Sequence, residues 1–296
     1  MGGRGKTPVV ALVARLLVEA GERPAILSRG YRRADPEDGV VIVSDGTHRR
    51  ADLGRAGDEP LMLARAVPGA AVLVCEVRAM AAALAEVALG STVHVLDDGF
   101  QHRSLERDVD IVIVSPADLR DRRLPFGRLR SPVAALRRAD AIVIDGARAA
   151  DVAGDLAAAI GPSTIPVLTM VRRVGEPWWI DAAGRAGVLA SREDPVVAVA
   201  GIATPDRFRH ALEAAGWQVA DLVAFPDHHA YGRRDLQRIV DAAGGRPVLT
   251  TEKDAMRLLP LRPLPVPVAA VPLLVDVEPP DLFRDWLLRR LAEVRA

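Results

Sequence analysis

Residues 1–21 read MGGRGKTPVVALVARLLVEAG. Gly5-Lys6-Thr7 at the head of an apolar run with helical texture has the form of a phosphate-binding loop. In such a loop, successive backbone N–H groups and a helix N-terminus surround phosphate oxygens, and glycines let the backbone come close. The lysine neutralises charge and the hydroxyl binds a metal. Gly2, Gly3, Arg4, Gly5, Lys6 and Thr7 are the candidate nucleotide-binding residues, with Thr7 also a metal ligand. The loop is normally hung from a buried strand, and the first glycine of the full pattern would fall one place before Met1. The expectation is that the strand lies upstream of a misassigned start. On that reading the chain as given leaves a central sheet position unfilled, binds ATP poorly and is less stable.

The rest of the chain supports an open α/β sheet. Short β-branched runs (24–28, 39–44, 70–75, 93–98, 109–115 and 139–145) alternate with helical stretches such as 9–20, 60–67 and 78–88. Near-continuous apolar strands between helices predict a mostly parallel sheet covered on both faces. Residues 162–190 change texture and suggest a hairpin-like connector containing Trp178 and Trp179, which are read as packing residues. A second, smaller α/β unit follows, with a terminal amphipathic helix from about Asp281. The expected organisation is a P-loop core over 1–163, connector and smaller domain over 164–275, and a helix over 276–296 that packs back on the core.

At 296 residues there is room for about two domains, and a net charge of zero argues against wholesale nucleic-acid binding. One cysteine excludes an internal disulfide. No apolar run reaches the ~18 residues of a membrane span, and no signal peptide is visible. Lys6 and Lys253 are the only lysines beside many arginines. A bias toward arginine leaves lysine where a compact ammonium is needed, here in GRGKTP and TTEKDA.

The second deciding stretch is VHVLDDGFQH, residues 93–102. In a parallel sheet the carboxyl ends of strands face the ligand crevice, so Asp97 and Asp98 would project toward a metal held opposite the phosphate loop. Residue types alone leave open a kinase or ATPase for a soluble molecule, or a truncated remnant without catalysis.

GKTPVV, LSRGY (27–31), GDEP (57–60), LDDGFQHRSLERDVDIVIV (96–114), LPFGRLRSP (124–132), FPDHHAY (225–231) and TTEKDA (250–255) together resemble the tetraacyldisaccharide 4'-kinase family over essentially the whole chain. The resemblance implies ATP-dependent phosphorylation of the 4'-hydroxyl of a tetraacylated glucosamine disaccharide 1-phosphate in lipid A biosynthesis. It implies Mg²⁺ beside ATP and a peripheral position on the cytoplasmic side of the inner membrane. Asp97, Asp98 and Gln101 would form the metal-binding strand end. Asp58 would be the catalytic base, paired with His228 or His229, and Arg29, Tyr31, Arg78 and Arg130 would contact substrate. Asp58 before Glu59-Pro60 is also a good helix cap. Arg4 and Ser131 depart from the family's usual residues. So does the absence of the preceding strand and membrane-associating helix.

Overall fold

A computed structural model describes residues 5–30, 33, 39–102, 105–181 and 192–296. The candidate residues Gly2, Gly3, Arg4 and Tyr31, and the tip of the expected connector, lie outside them. Among the described residues three sheets carry thirteen strands. The first is built from β1 (Pro24–Ser28), β2 (Val41–Asp45), β3 (Ala71–Val74) and β4 (Val93–Leu96), in the order β2-β3-β1-β4. Its pairings are parallel except at the β2 edge, which runs antiparallel to β3. Helices α1 (Lys6–Glu19), α2 (Leu53–Ala56), α3 (Asp58–Ala66) and α4 (Arg78–Leu89) connect and cover these strands.

The second sheet takes β5 (Ile111–Val114), β6 (Ala141–Asp145) and β7 (Val167–Val174), with helices α5 (Pro116–Leu119) and α6 (Ala153–Ile160) between them. Strands β5, β6 and β7 are parallel, and every side chain of β6 from Ala141 to Ile144 is fully buried. Full burial on both faces is what its unbroken apolar run encodes.

The third sheet contains β8 (Trp178–Trp179), β9 (Pro195–Ala200), β10 (Gln218–Ala224), β11 (Val248–Thr251) and β12 (Val268–Val271), in the order β10-β9-β11-β12-β8. Its helices are α7 (Pro205–Ala214), α8 (Arg233–Ala243) and α9 (Glu252–Leu258). Strand β13 (Leu273–Glu278) then returns to the second sheet, and α10 (Pro280–Arg295) ends the chain.

The stretch expected as a hairpin-like connector supplies strands to two sheets, each paired antiparallel with a strand far along the sequence. β7 pairs with β13 from Thr169↔Glu278 to Val174↔Leu273, and β8 pairs with β12. Strand β7 therefore extends the first unit's sheet beyond residue 163. Trp178 carries the Arg65 guanidinium 3.5 Å from its ring centroid, so it packs between α3 and the third sheet.

Helix α1 joins the first two sheets. Val10, Ala11 and Ala14 pack with the first sheet's core. Val9, Val13 and Leu17 pack with β6, β7, β13 and the α10 residues Phe283, Trp286 and Leu287. Positions three and four apart sit on adjoining helix faces, which is how a single helix serves two cores. β4 and β5 are end strands of their respective sheets, and between them lies an elongated cavity of about 710 Å³ lined by Val93–Leu96, Val109–Val114 and α1. A single apolar cluster also runs from Leu61 and Leu63 through Met256 and Leu258 to Val197 and Val199, joining the first and third sheets across α3 and α9.

Candidate active site

Gly5 takes a left-handed conformation (φ 74°) at the start of α1, and no side chain caps that helix. Its first N–H groups point outward, which suits an anion. Lys6 reaches from there across to the end of β4, where its Nζ donates to Asp98 Oδ1 at 2.7 Å over 92 residues of sequence. Thr7 follows on the same turn.

Asp97 is 7% exposed, and burial, reinforced by the negative charges of Glu59 and Asp98, pushes its carboxyl up to about 6. Lys6 and Arg78 act in the opposite direction. Asp98 has a positive φ of 60° and a lowered pKa. Burial raises it but is outweighed by the hydrogen bond and charge of Lys6, with Arg130 adding to them. Gln101 donates from Nε2 to Ser131 Oγ at 3.2 Å, next to that strand end.

The basic residues form a rim. Arg130 Nη1 lies 3.6 Å from Asp98 Oδ2. Arg78 is buried, with Nη1 donating to the carbonyls of Cys75 and Glu76. Burial, then the like charge of Arg29, lowers its pKa, while Asp97 and Asp98 draw on it from the other side. Arg29 itself is exposed.

Asp58 opens α3, is 7% exposed, and its Oδ1 accepts the Glu59 N–H at 2.9 Å. It is a helix-end acceptor, and the same carboxylate has a second set of partners across the interface. His228 Nδ1 lies 3.3 Å from Asp58 Oδ2, and Arg257 Nη2 donates to the same oxygen.

The two histidines separate cleanly. His228, at a positive φ of 61°, faces Asp58. His229 instead lies 3.1 Å from Asp235, stacks on Phe225 at 4.8 Å and meets Tyr231 edge-on at 5.1 Å. Of the two expected partners of Asp58, His228 is therefore the one that lies beside it.

Lys253 contacts His228 Nε2 at 2.9 Å and Asp227 Oδ1 at 3.3 Å. Nδ1 also lies 3.1 Å from Arg257 Nη2, so each ring nitrogen faces a donor-only cation, and a neutral ring can accept at only one of them. Burial first, then the Lys253 charge, depresses the His228 pKa against the pull of Asp58 and Asp227. Burial and the two cations favour the neutral ring.

Arg257 was not singled out from the sequence. Its second arm, Nη1, donates to Asp254 Oδ1 at 3.2 Å and to the Gly201 carbonyl at 3.3 Å. Asp254 is fully buried and also accepts from the Gly201 N–H at 2.9 Å and the Thr251 hydroxyl at 2.7 Å. Gly201 is required there, because a Cβ would stand 2.7 Å from Asp254 Oδ1. Thr251 caps α9 by accepting the Asp254 N–H. TTEKDA is therefore the start of a short helix aimed at Asp58 and His228. The signal was present: Arg257 stands four residues after Lys253, hence on one helix face.

Among the described residues no group of three or more His, Cys, Asp or Glu side chains could hold a metal by itself. Two adjacent carboxylates and a hydroxyl are instead the oxygen donors that suit Mg²⁺ when phosphates complete its shell. Lys6 stands at a helix N-terminus against paired acids at the end of a parallel strand, and a buried carboxylate–imidazole pair lies at the head of α3. This defines a phosphotransferase of the P-loop type.

Comparison with known proteins narrows the class. A family model described as tetraacyldisaccharide-1-P 4'-kinase matches residues 1–292, and the chain belongs to that family. A tetraacyldisaccharide 4'-kinase from Syntrophus aciditrophicus is 36% identical over 311 residues, covering 99% of this chain and 82% of the relative. One from Anaeromyxobacter sp. (strain Fw109-5) is 42% identical, covering 88% and 72%. The crystal structure of LpxK from Aquifex aeolicus in complex with ATP is 30% identical, with a TM-score of 0.75, over 98% of this chain and 85% of that one. The α/β, P-loop expectation agrees with these matches.

Proposed function

We propose that this chain transfers the γ-phosphate of ATP to the 4'-hydroxyl of a tetraacylated glucosamine disaccharide 1-phosphate. The observation that carries the reading is the meeting of Lys6 with Asp97 and Asp98 beside the α3 end that bears Asp58. Phosphoryl transfer needs little covalent help from the protein; it needs charge neutralisation, in-line positioning and a proton acceptor.

In this reading the α1 N-terminus and Lys6 bind the triphosphate. Asp97, Asp98 and Thr7, with Gln101 close by, would hold Mg²⁺, which neutralises charge on the phosphate oxygens. Asp58 accepts the proton of the sugar hydroxyl as its oxygen bonds to phosphorus and the bond to ADP breaks. Neutral His228 sits between Asp58 and Lys253 and helps to orient the carboxylate. Arg29, Arg78 and Arg130 offer guanidinium groups to the substrate phosphate, a geometry that favours anionic headgroups.

The ribbon of β7 and β13 is taken as the boundary region between a core over 1–163 and a smaller unit over 164–275. The helix of 276–296 lies against the core, and the active site sits where α3 meets α9. In this reading the protein meets its acylated substrate as a peripheral protein at the cytoplasmic face of the inner membrane. No helix among the described residues is long and apolar enough to cross a membrane. The test is purified protein with lipid disaccharide 1-phosphate and ATP, scored for phosphate on the lipid. Transfer to a water-soluble acceptor alone would replace this reading with a soluble-substrate kinase.

A further inference from the structure

Asp58 opens α3, which packs on the first sheet, yet the side chains that hold its carboxylate come from the segments around the third sheet. Arg257, on α9, reaches it with one arm while its other arm is fixed at home. Nη1 donates to Asp254 Oδ1 and to the Gly201 carbonyl, and Asp254 is pinned in turn by the Gly201 N–H and the Thr251 hydroxyl. A guanidinium is planar and rigid, so fixing Nη1 fixes the direction in which Nη2 points. Leu61 and Leu63 of α3 share one apolar cluster with Met256 and Leu258 of α9, so the contact spans a packed interface.

The two oxygens of Asp58 are not equivalent. Oδ2 accepts from Arg257 Nη2 and lies 3.3 Å from His228 Nδ1, which is itself 3.1 Å from the same Nη2. Oδ1 accepts the Glu59 N–H at 2.9 Å. Each carboxylate oxygen has two lone pairs, so the side of Oδ2 is filled while Oδ1 keeps a lone pair beyond the Glu59 bond. A carboxylate left to itself turns readily about its Cβ–Cγ bond and exchanges its oxygens. With Oδ2 tied to Arg257, that freedom is lost.

We infer that Arg257 is a positioning residue of the phosphoryl transfer: it holds Oδ2 and leaves Oδ1 to take the proton of the attacking hydroxyl. The inference rests on the reading that Asp58 is the base. The hydroxyl proton passes to Oδ1 as the sugar oxygen bonds to phosphorus and the bond to the ADP oxygen breaks. Arg257 acts through Asp58 rather than on the substrate. Because its anchor lies beside the third sheet, the base is aligned only when α9 is seated on α3. Misplacing a reacting group by about an ångström costs on the order of 10²-fold in rate.

The test is steady-state kinetics of the full chain with lipid disaccharide 1-phosphate and ATP, on Arg257→Ala, Arg257→Lys and Asp58→Ala. Active sites are counted by ATP titration, so that unfolded protein does not enter kcat. Arg257→Ala should lower kcat and kcat/KM together by about 10²-fold, with the KM for ATP unchanged. Arg257→Lys, which keeps a cation on a similar stem, should recover kcat to within roughly tenfold of wild type. Added methylguanidinium should raise the kcat of Arg257→Ala by about tenfold over an equal concentration of potassium chloride and leave Asp58→Ala unchanged. If Arg257 only braced the two helices, its loss would lower Tm and leave kcat per ATP-binding site at the wild-type value. That result, or a rise in kcat on freeing Asp58, would overturn the inference. A large loss in Asp58→Ala beside unaltered Arg257 variants would remove the positioning role alone. Full turnover by Asp58→Ala would remove both that role and the assignment of Asp58 as base. Wild-type protein that transfers no phosphate to the lipid would discard the kinase reading itself, and the positioning role with it.

Discussion

The Asp58–Arg257 contact makes the sharpest quantitative claim. Their side chains are 8% and 7% exposed, and Arg257 is also bonded to Asp254, which is fully buried. Removing one partner of such a pair leaves an uncompensated buried charge, at a cost of about 3–5 kcal/mol. Arg257→Met keeps the methylene stem, so packing is retained while the fork is lost. Asp58 then keeps the Glu59 N–H and His228, and Asp254 keeps the Gly201 N–H and the Thr251 hydroxyl. These remaining partners place the expected loss toward the lower end, about 3 kcal/mol, a fall in Tm of roughly 6–10 °C for a chain of this size. A double-mutant cycle with Asp58→Asn, followed by urea denaturation, isolates the pair. The expected coupling is about 1.5–3 kcal/mol. Coupling below about 0.5 kcal/mol would mean that α3 and α9 are held by apolar packing alone and that the ion pair is incidental.

Asp58→Ala should lower kcat by about 10²–10⁴-fold with little change in ATP affinity, measured by steady-state kinetics and nucleotide titration. A mutant with full turnover would reduce Asp58 to a helix-end acceptor. The depressed pKa of His228 keeps its ring neutral at pH 7, and activity should fall as pH drops through that value, below the ordinary imidazole range. Lys253→Gln removes a charge that lowers this pKa, so the acid limb of kcat should move to higher pH. An unmoved limb would exclude His228 as its origin. Arg295 donates to both oxygens of Glu22 at 2.6 and 2.8 Å, and its hydrogen bond is the first cause holding the Glu22 pKa down at about 2. A carboxyl with a depressed folded pKa stabilises above its unfolded value, near 4.5, and that stability is lost as pH falls toward about 2. Because Arg295 is 44% exposed, solvent screening keeps the contribution small. Arg295→Ala should show that loss in thermal melts at pH 7 and converge with wild type near pH 2.

Much of the site could be read because its parts are contiguous in sequence. Gly5-Lys6-Thr7 and Asp97-Asp98 each sit at the end of a strong local pattern, a helical run and an apolar strand. The general rule for strand ends then brings them together. What stayed hidden depends on long-range pairing. β7 and β8 look like neighbours in a hairpin, yet β7 pairs with β13 about a hundred residues later, and no local residue pattern encodes that choice. Adjacent histidines look equivalent until the chain at His228 takes a left-handed turn and sends the two rings in different directions. Arg257 was hidden by its surroundings: among so many arginines, one more on a short helix carries no signal. Only the fold places it against a carboxylate 199 residues earlier.

The trough between β4 and β5 has a colloidal consequence. Among the described residues each of these end strands has one hydrogen-bonded neighbour, and its other edge borders a common channel lined by valine and leucine from α1. Two strand edges on one apolar channel can accept an extended apolar peptide, including a stretch from an unfolding neighbour. Self-association seeded there should climb steeply with protein concentration. A charge introduced at Val112, which lines the channel from the β5 side, should slow it.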